Sequence, residues 1–363
     1  MNLNKKLNVG IIGATGMVGQ RFLTLLDNHP MFNVTAVAAS SRSADKTLEE
    51  GLNDRWKLSE AIPEYAKKLI IKDANEIKKI ADEVDFVFCA VDMKKEEIKE
   101  LEYAYAKTET PVISNNSAHR MTSDVPMVIP EVNPEHINII ERQRKRLGLK
   151  SGFIAVKPNC SLQSYVPLLT PLLKYDPYEV AATTYQAISG ASKIFSEWPE
   201  MIDNVIPYIS GEEEKSEQEP LKIWGRIMGG EIVKTSSPVI TTQCIRVPVS
   251  DGHMAAVFVK FNKKPSKADI INEWNTFKGI PQELNLPSAP EKFITYYEDD
   301  ARPQTALDRN IYNGMGITCG RLREDSVYDY KFIGLSHNTI RGAAGGAVLI
   351  AELLAAQGYI TYK

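Results

Sequence analysis

The chain has 363 residues, 43% of them apolar and 25% charged, and a formal net charge of −3. This balance is ordinary for a soluble globular protein, and no Lys/Arg cluster is interleaved with aromatics, which argues against a nucleic-acid partner. No apolar stretch reaches the roughly 18 residues that span a bilayer, and the length favours two domains over one.

Residues 1–6 carry no long apolar segment and do not resemble a signal peptide. Residues 7–12 read as a short strand and 17–26 as a helix. The connection, Gly10-Ile11-Ile12-Gly13-Ala14-Thr15-Gly16-Met17-Val18-Gly19, is glycine-rich. Gly13 suits a tight turn, Gly16 lets the backbone approach a pyrophosphate held at the helix N-terminus, and Gly19 lets helix and strand pack closely. A second strand, 34–39, runs into Ser40-Ser41-Arg42. A carboxylate there would bind the ribose hydroxyls of NAD. Hydroxyls and an arginine suit a 2′-phosphate instead, so NADP is preferred, with an exposed loop arginine as the plainer reading. Strands follow at 85–91 and 111–114, with a surface helix at 94–107. The alternation implies a mostly parallel sheet covered by helices.

Cys89, Cys160, Cys244 and Cys319 are widely spaced and form no Cys-x-x-Cys pair. Neither a metal site nor a disulfide framework is expected, and free thiols fit the cytoplasm. Cys89 lies in an apolar run and reads as core. Cys160, in Lys157-Pro158-Asn159-Cys160-Ser161, stands ahead of an apolar run, 162–173, that reads as a helix. The helix N-terminus would favour thiolate over thiol. A thiolate beside a dinucleotide points to oxidation or reduction of a carbonyl through a thioester.

The second half reads as α+β. Residues 178–188 are β-rich. Residues 211–219 are acidic and read as a solvated loop. Two apolar runs, 236–249 and 253–261, flank Ser250-Asp251-Gly252, a hairpin signal that would bring Arg246 and His253 to one end of a sheet. A strand at 325–335 follows. A helix at 342–356 is expected to return to the first domain. The fold class is therefore α/β: an N-terminal Rossmann-type parallel sheet, then an α+β domain with a large mixed sheet. Taken singly, Gln186, Glu219, Lys222, Arg246 and His253 each have a plain surface reading.

Taken in order, Gly13 to Gly19, Ser114-Asn115-Asn116-Ser117-Ala118-His119-Arg120, Lys157-Pro158-Asn159-Cys160-Ser161, Tyr185-Gln186-Ala187-Ile188-Ser189-Gly190, Arg246-Val247-Pro248-Val249 and Asn338-Thr339-Ile340-Arg341-Gly342 resemble aspartate-β-semialdehyde dehydrogenase, in its archaeal and fungal branch. The resemblance implies NADPH-dependent reduction of L-4-aspartyl phosphate to L-aspartate 4-semialdehyde, in biosynthesis of the aspartate family of amino acids. It implies Cys160 as nucleophile, His253 as general acid/base, Gln186 orienting the thioester and Asn159 positioning the nucleophile. Arg246 would hold the α-carboxylate and Glu219 the α-ammonium. Arg120 and Lys222 would hold phosphate, with Asn115 on the substrate side. Gly13, Thr15, Gly16, Met17, Val18, Ser40, Ser41, Arg42, Ser189 and Gly190 would face the cofactor, with Asn338 and Gly342 near the nicotinamide. Residues 1–157 with 338–363 would bind NADP. Residues 158–337 would carry catalysis and the contact of a homodimer or homotetramer. The rivals are a malonyl-CoA reductase-like enzyme, an N-acetylglutamyl-phosphate reductase and a non-catalytic NADP-binding redox sensor.

Overall fold

The structure, a computed structural model, describes residues 5–363. The first half folds in chain order as β1 (Leu7–Ile12), α1 (Met17–Leu25), β2 (Phe32–Ala39), β3 (Ile71–Asp73), β4 (Phe86–Cys89), α2 (Lys95–Lys107), β5 (Val112–Ser114) and β6 (Ile154–Val156). These strands form one sheet in the order β3-β2-β1-β4-β5-β6, with every pairing parallel. Because successive side chains point to opposite faces, Phe86 and Phe88 enter one core and Val87 and Cys89 the other. Cys89 is 1% exposed and packs as a small hydrophobe.

The second half holds β7 (Pro177–Gln186), α3 (Glu212–Ile223), a ribbon of β8 (Arg226–Met228) and β9 (Glu231–Val233), then β10 (Val239–Arg246), β11 (His253–Phe261), β12 (Ile294–Tyr297), β13 (Ile317–Glu324), β14 (Tyr330–Ser336) and α4 (Gly345–Ala356). Its large sheet is mixed, in the order β10-β7-β11-β14-β13-β12. One hydrophobic core runs from the Val87 face of the first sheet through Leu162, Val166 and Leu168 to Val180 and Val257 of the second. The other packs α1 and α4 against the Phe86 face. Thus the 160s segment lies between the two sheets, and α4 returns to the first.

Three expectations need correction. The runs flanking Asp251-Gly252 do not form a hairpin. β7 lies between them, parallel to β10 and antiparallel to β11. The acidic stretch is not a solvated loop but most of α3, whose Glu212, Ser216, Glu219, Lys222 and Ile223 are buried. A single face at helical spacing turns inward and takes its charges with it. Finally, 162–173 is not one helix. It breaks into short pieces, Ser161–Ser164, Val166–Leu169 and Thr170–Tyr175. Pro167 and Pro171 lack the N–H that a continuous helix needs and restrict the residues before them.

Candidate active site

The end of the second sheet places three side chains in a row. Arg246 pairs with Gln186 across β10 and β7. Met254 pairs with Tyr185, which sets His253 beside Gln186, and His253 in turn pairs with Ser336. Arg246, Gln186 and His253 are all buried. The inserted strand therefore supplies the residue between the two that a hairpin would have placed side by side.

Cys160 reaches this row from the 160s segment. Its Sγ lies 3.4 Å from His253 Nε2. His253 Nδ1 accepts the Ala187 N–H at 3.1 Å, so the neutral ring carries its proton on Nε2, facing the sulfur. Burial first, and then the Arg246 charge, hold His253 well below the usual histidine range. The thiol does not follow the expectation of an easy thiolate. Burial pushes Cys160 up and Glu212 adds to this, while Lys157, Arg120 and Arg246 pull it down. The broken helix supplies too short a dipole to reverse the balance.

Asn159 braces the turn that carries Cys160. Its N–H donates to Glu219 Oε2 at 2.7 Å, and its Nδ2 donates to both oxygens of Glu212 at 3.0 Å. Its Oδ1 accepts the Ser161 N–H at 2.8 Å, so that N–H is not free for an oxyanion. Glu212 also receives Gln186 Nε2 at 3.3 Å and Lys215 Nζ at 2.8 Å. Burial alone would raise the Glu212 carboxyl, but Lys215, Asn159 and Gln186 outweigh it and hold it below the ordinary value.

The residues expected at 219 and 222 take other positions. Glu219 pairs with Arg120 Nη1 at 3.0 Å. Arg120 also donates to the carbonyls of Lys157 and Asn115. Lys222 Nζ donates to the carbonyls of Arg120, Thr122 and Val125 at 2.7, 2.7 and 2.9 Å. With all three protons used and the side chain buried, it has no donor left for a phosphate. The partly exposed cation on this helix is Lys215. Glu212 and Lys215 are candidate site residues that sequence reasoning missed.

The loop 114–120 sits on a buried carboxylate of α2. Glu102 Oε1 accepts from Ser114 Oγ at 2.5 Å and from Asn116 Nδ2 at 3.0 Å. Among the described residues its Oε2 has no hydrogen-bond partner, and it lies 4.0 Å from His119 Nε2, which has none there either. Burial raises the Glu102 carboxyl to about 6.

A groove for a dinucleotide runs beside this site. Gly13 has φ +95, and a Cβ there would meet the Ala90 carbonyl oxygen at 2.3 Å, so this turn demands glycine. A cavity of about 380 Å³ is lined by Gly13, Thr15, Gly16, Ser40, Ser41 and Arg42, with Arg55. A second, of about 590 Å³, shares Thr15, Gly16 and Arg55 and adds Met17, Val18, Lys57, Asn115 and Gly190. Together they run from the end of β2 to the edge of the Cys160 site. At that edge a Cβ on Gly342 would meet Cys160 Cβ at 2.9 Å. Asn338 Nδ2 donates to Ser189 Oγ at 2.8 Å, and Asn338 Oδ1 accepts the Gly252 N–H at 2.8 Å. The cradle, the open approach along it and the terminal hydroxyls with Arg42 fit NADP. Among the described residues no group of three or more His, Cys, Asp or Glu is placed to hold a metal ion, and no helix is long and apolar enough to cross a membrane.

A parallel sheet with a glycine cradle, joined to a mixed sheet that presents a cysteine beside a histidine, defines a class of dinucleotide-dependent aldehyde dehydrogenase. Two family models agree: "Semialdehyde dehydrogenase, NAD binding domain" matches residues 8–140, and "Semialdehyde dehydrogenase, dimerisation domain" matches residues 169–341. The aspartate-semialdehyde dehydrogenase of Methanothermobacter thermautotrophicus is 42% identical over 96% of this chain and 99% of its own length. That of Aspergillus fumigatus is 38% identical over 98% and 99%. The crystal structure of the Candida albicans enzyme with NADP superposes with a TM-score of 0.87 at 37% identity, covering 98% of this chain and all of that one. The chain belongs to the aspartate-semialdehyde dehydrogenase family.

Proposed function

We propose that this chain reduces L-4-aspartyl phosphate to L-aspartate 4-semialdehyde and phosphate through a thioester on Cys160, and runs the reverse reaction when given aldehyde and phosphate. The observation that carries this reading is the 3.4 Å approach of Cys160 Sγ to His253 Nε2 at the mouth of the dinucleotide groove. The Cys160 thiolate attacks the acyl carbon and phosphate leaves. Bound NADPH supplies the hydride. The resulting hemithioacetal oxyanion accepts a hydrogen bond from His253 Nε2–H, and its collapse breaks the C–S bond and frees the aldehyde and the thiolate.

The charges match the substrate. Arg246, with Nη1 anchored on the Ala187 carbonyl at 2.6 Å, presents the rest of its guanidinium to the α-carboxylate. Glu212 takes the α-ammonium, in place of Glu219. Lys215 takes the phosphoryl group, in place of Lys222. Gln186 and Asn159 fix the geometry between them. Arg120 and Asn115 belong to the wall of the site, and Arg120 acts through its hold on Glu219 and Lys157.

Residues 1–157 and 338–363 form the NADP-binding unit in this reading, and 158–337 the catalytic one. The exposed face of the second sheet, with Tyr185 and Val239 outward, is the contact of a homodimer, alone or as half of a homotetramer. Four free thiols suit a reducing cytoplasm. Steady-state assays with aspartate semialdehyde, phosphate and NADP test the activity against malonyl-CoA and N-acetylglutamyl semialdehyde as rival substrates. Preference for either rival overturns it. The carboxylate of Glu212 disfavours both, because neither offers an ammonium to pair.

A further inference from the structure

Two lysines are buried around the active site, and they are not alike. Lys222 gives all three protons to backbone carbonyls. Lys157 is 2% exposed, and its Nζ makes one hydrogen bond among the described residues, to the Pro158 carbonyl at 2.9 Å. Its stem is wedged at the start of α4, where a Cβ on Gly346 would meet Lys157 Cε at 2.9 Å. The amine is thus held inside the Lys-Pro-Asn-Cys turn with protons to spare. A buried ammonium in that position needs a compensating charge.

Among the described residues, two other buried cations nearby have carboxylates, while Arg246 holds the Ala187 carbonyl and is kept for the substrate α-carboxylate. Arg120 pairs with Glu219, and Arg341 makes a two-pronged pair with Glu131. Glu212 is taken by Lys215 and Asn159. Lys157, held inside the turn, has neither a carboxylate among the described residues nor a substrate group assigned to it, and the Cys160 sulfur lies three residues along the same turn. We propose that Lys157 is a positioning residue for the nucleophile: its ammonium is the counter-charge that lets Cys160 ionise inside the cleft. This rests on the reading of Cys160 as the nucleophile.

The electrostatics agree in direction. Burial draws Lys157 down to about 7, while Cys160 and Glu219 pull it back up and Arg120 and Arg341 push it down. Lys157 leads the groups that lower Cys160, and it also disfavours a charged His253. Support for the thiolate is therefore full below neutral pH and fades as Lys157 loses its proton.

The test is alkylation of Cys160 by iodoacetamide in the ligand-free, full-length protein across pH 5–10, read peptide by peptide by mass spectrometry. Replacing Lys157 by Met keeps the length of the stem and removes the charge. Lys157→Met slows alkylation at pH 7 about tenfold and moves its midpoint up by about one unit. Lys157→Arg, which keeps the charge, stays within about threefold of wild type. A Lys157→Met profile that overlays wild type overturns the proposal. Should that variant fail to fold, the wild-type protein still decides. Capping Cys160 as a neutral methyl disulfide must lower the Lys157 midpoint seen by NMR of ¹³C-labelled lysine, and an unmoved midpoint overturns the idea. Neither readout involves turnover, so inactivity toward aspartate semialdehyde would be a separate result.

Discussion

Cys160 Sγ and His253 Nε2 meet at 3.4 Å although 93 residues separate them. The Ala187 N–H on His253 Nδ1 leaves the ring as a proton donor toward the sulfur. A donor of this kind stabilises a thiolate and then, by hydrogen bonding, the hemithioacetal oxyanion. Cys160→Ser should lower kcat by about 10³-fold or more while the NADP Kd stays within about twofold. His253→Asn should lower kcat by about 10²- to 10⁴-fold. Stopped-flow kinetics and calorimetry check both, and near-normal turnover in Cys160→Ser would contradict the covalent route.

The two buried acids of α3, Glu212 and Glu219, should separate cleanly. Glu212→Gln should raise the KM for aspartate semialdehyde by about tenfold or more, with kcat less affected. Glu219→Gln strips Arg120 of its buried carboxylate and should cost about 3 kcal/mol of stability. Lys215→Ala should raise the KM for phosphate. Lys222→Met leaves three carbonyls without their donor and should cost about 2 kcal/mol or more instead. Urea melts and initial rates on the four variants distinguish the pairs, and a phosphate KM that responds to Lys222 and not to Lys215 would reverse the assignment.

Arg246→Lys should raise the apparent KM for the amino-acid substrate by about tenfold or more. A single ammonium cannot hold the Ala187 carbonyl and also present a fork to a carboxylate. An unchanged KM removes Arg246 from the pocket.

Glu102 makes stability depend on pH in a defined sense. Its carboxyl is raised from 4.5 to about 6, so the folded state binds the proton more tightly than the unfolded one. Stability from this group is therefore lost as pH rises through the window from 4.5 to 6, not gained. Glu102→Gln cannot ionise. Relative to wild type it should gain roughly 2 kcal/mol between pH 4.5 and pH 7. Urea midpoints of the two proteins across that range supply the comparison, and a constant difference would show that Glu102 does not titrate there.

The legible parts of this site were those written in short contiguous runs. The glycine turn, the Lys-Pro-Asn-Cys turn and four of the six strands of the first sheet rest on local chemistry, whereas β3 and β6, three residues each, are too short to stand out as runs. Arg246 and His253 were placed at one end of a sheet for the wrong reason. Which strand inserts between two others is set by contacts of residues 177–186, far away in sequence. Glu212 was lost among neighbouring acids because charge runs usually face water. The signal was present as spacing: Glu212, Ser216, Glu219 and Ile223 fall at i, i+4, i+7 and i+11, one helical face. The rise in the thiol pKa was not legible at all, since it depends on how deeply the turn is buried and on Glu212 beside it.

A single turnover without phosphate tests the thioester most directly. Enzyme mixed with aspartate semialdehyde and NADP should release one NADPH per active site in a burst and then stop, with an aspartyl adduct on the Cys160 peptide by mass spectrometry. Added phosphate should restart turnover. Absence of both burst and adduct, in protein that turns over normally once phosphate is present, would contradict the account.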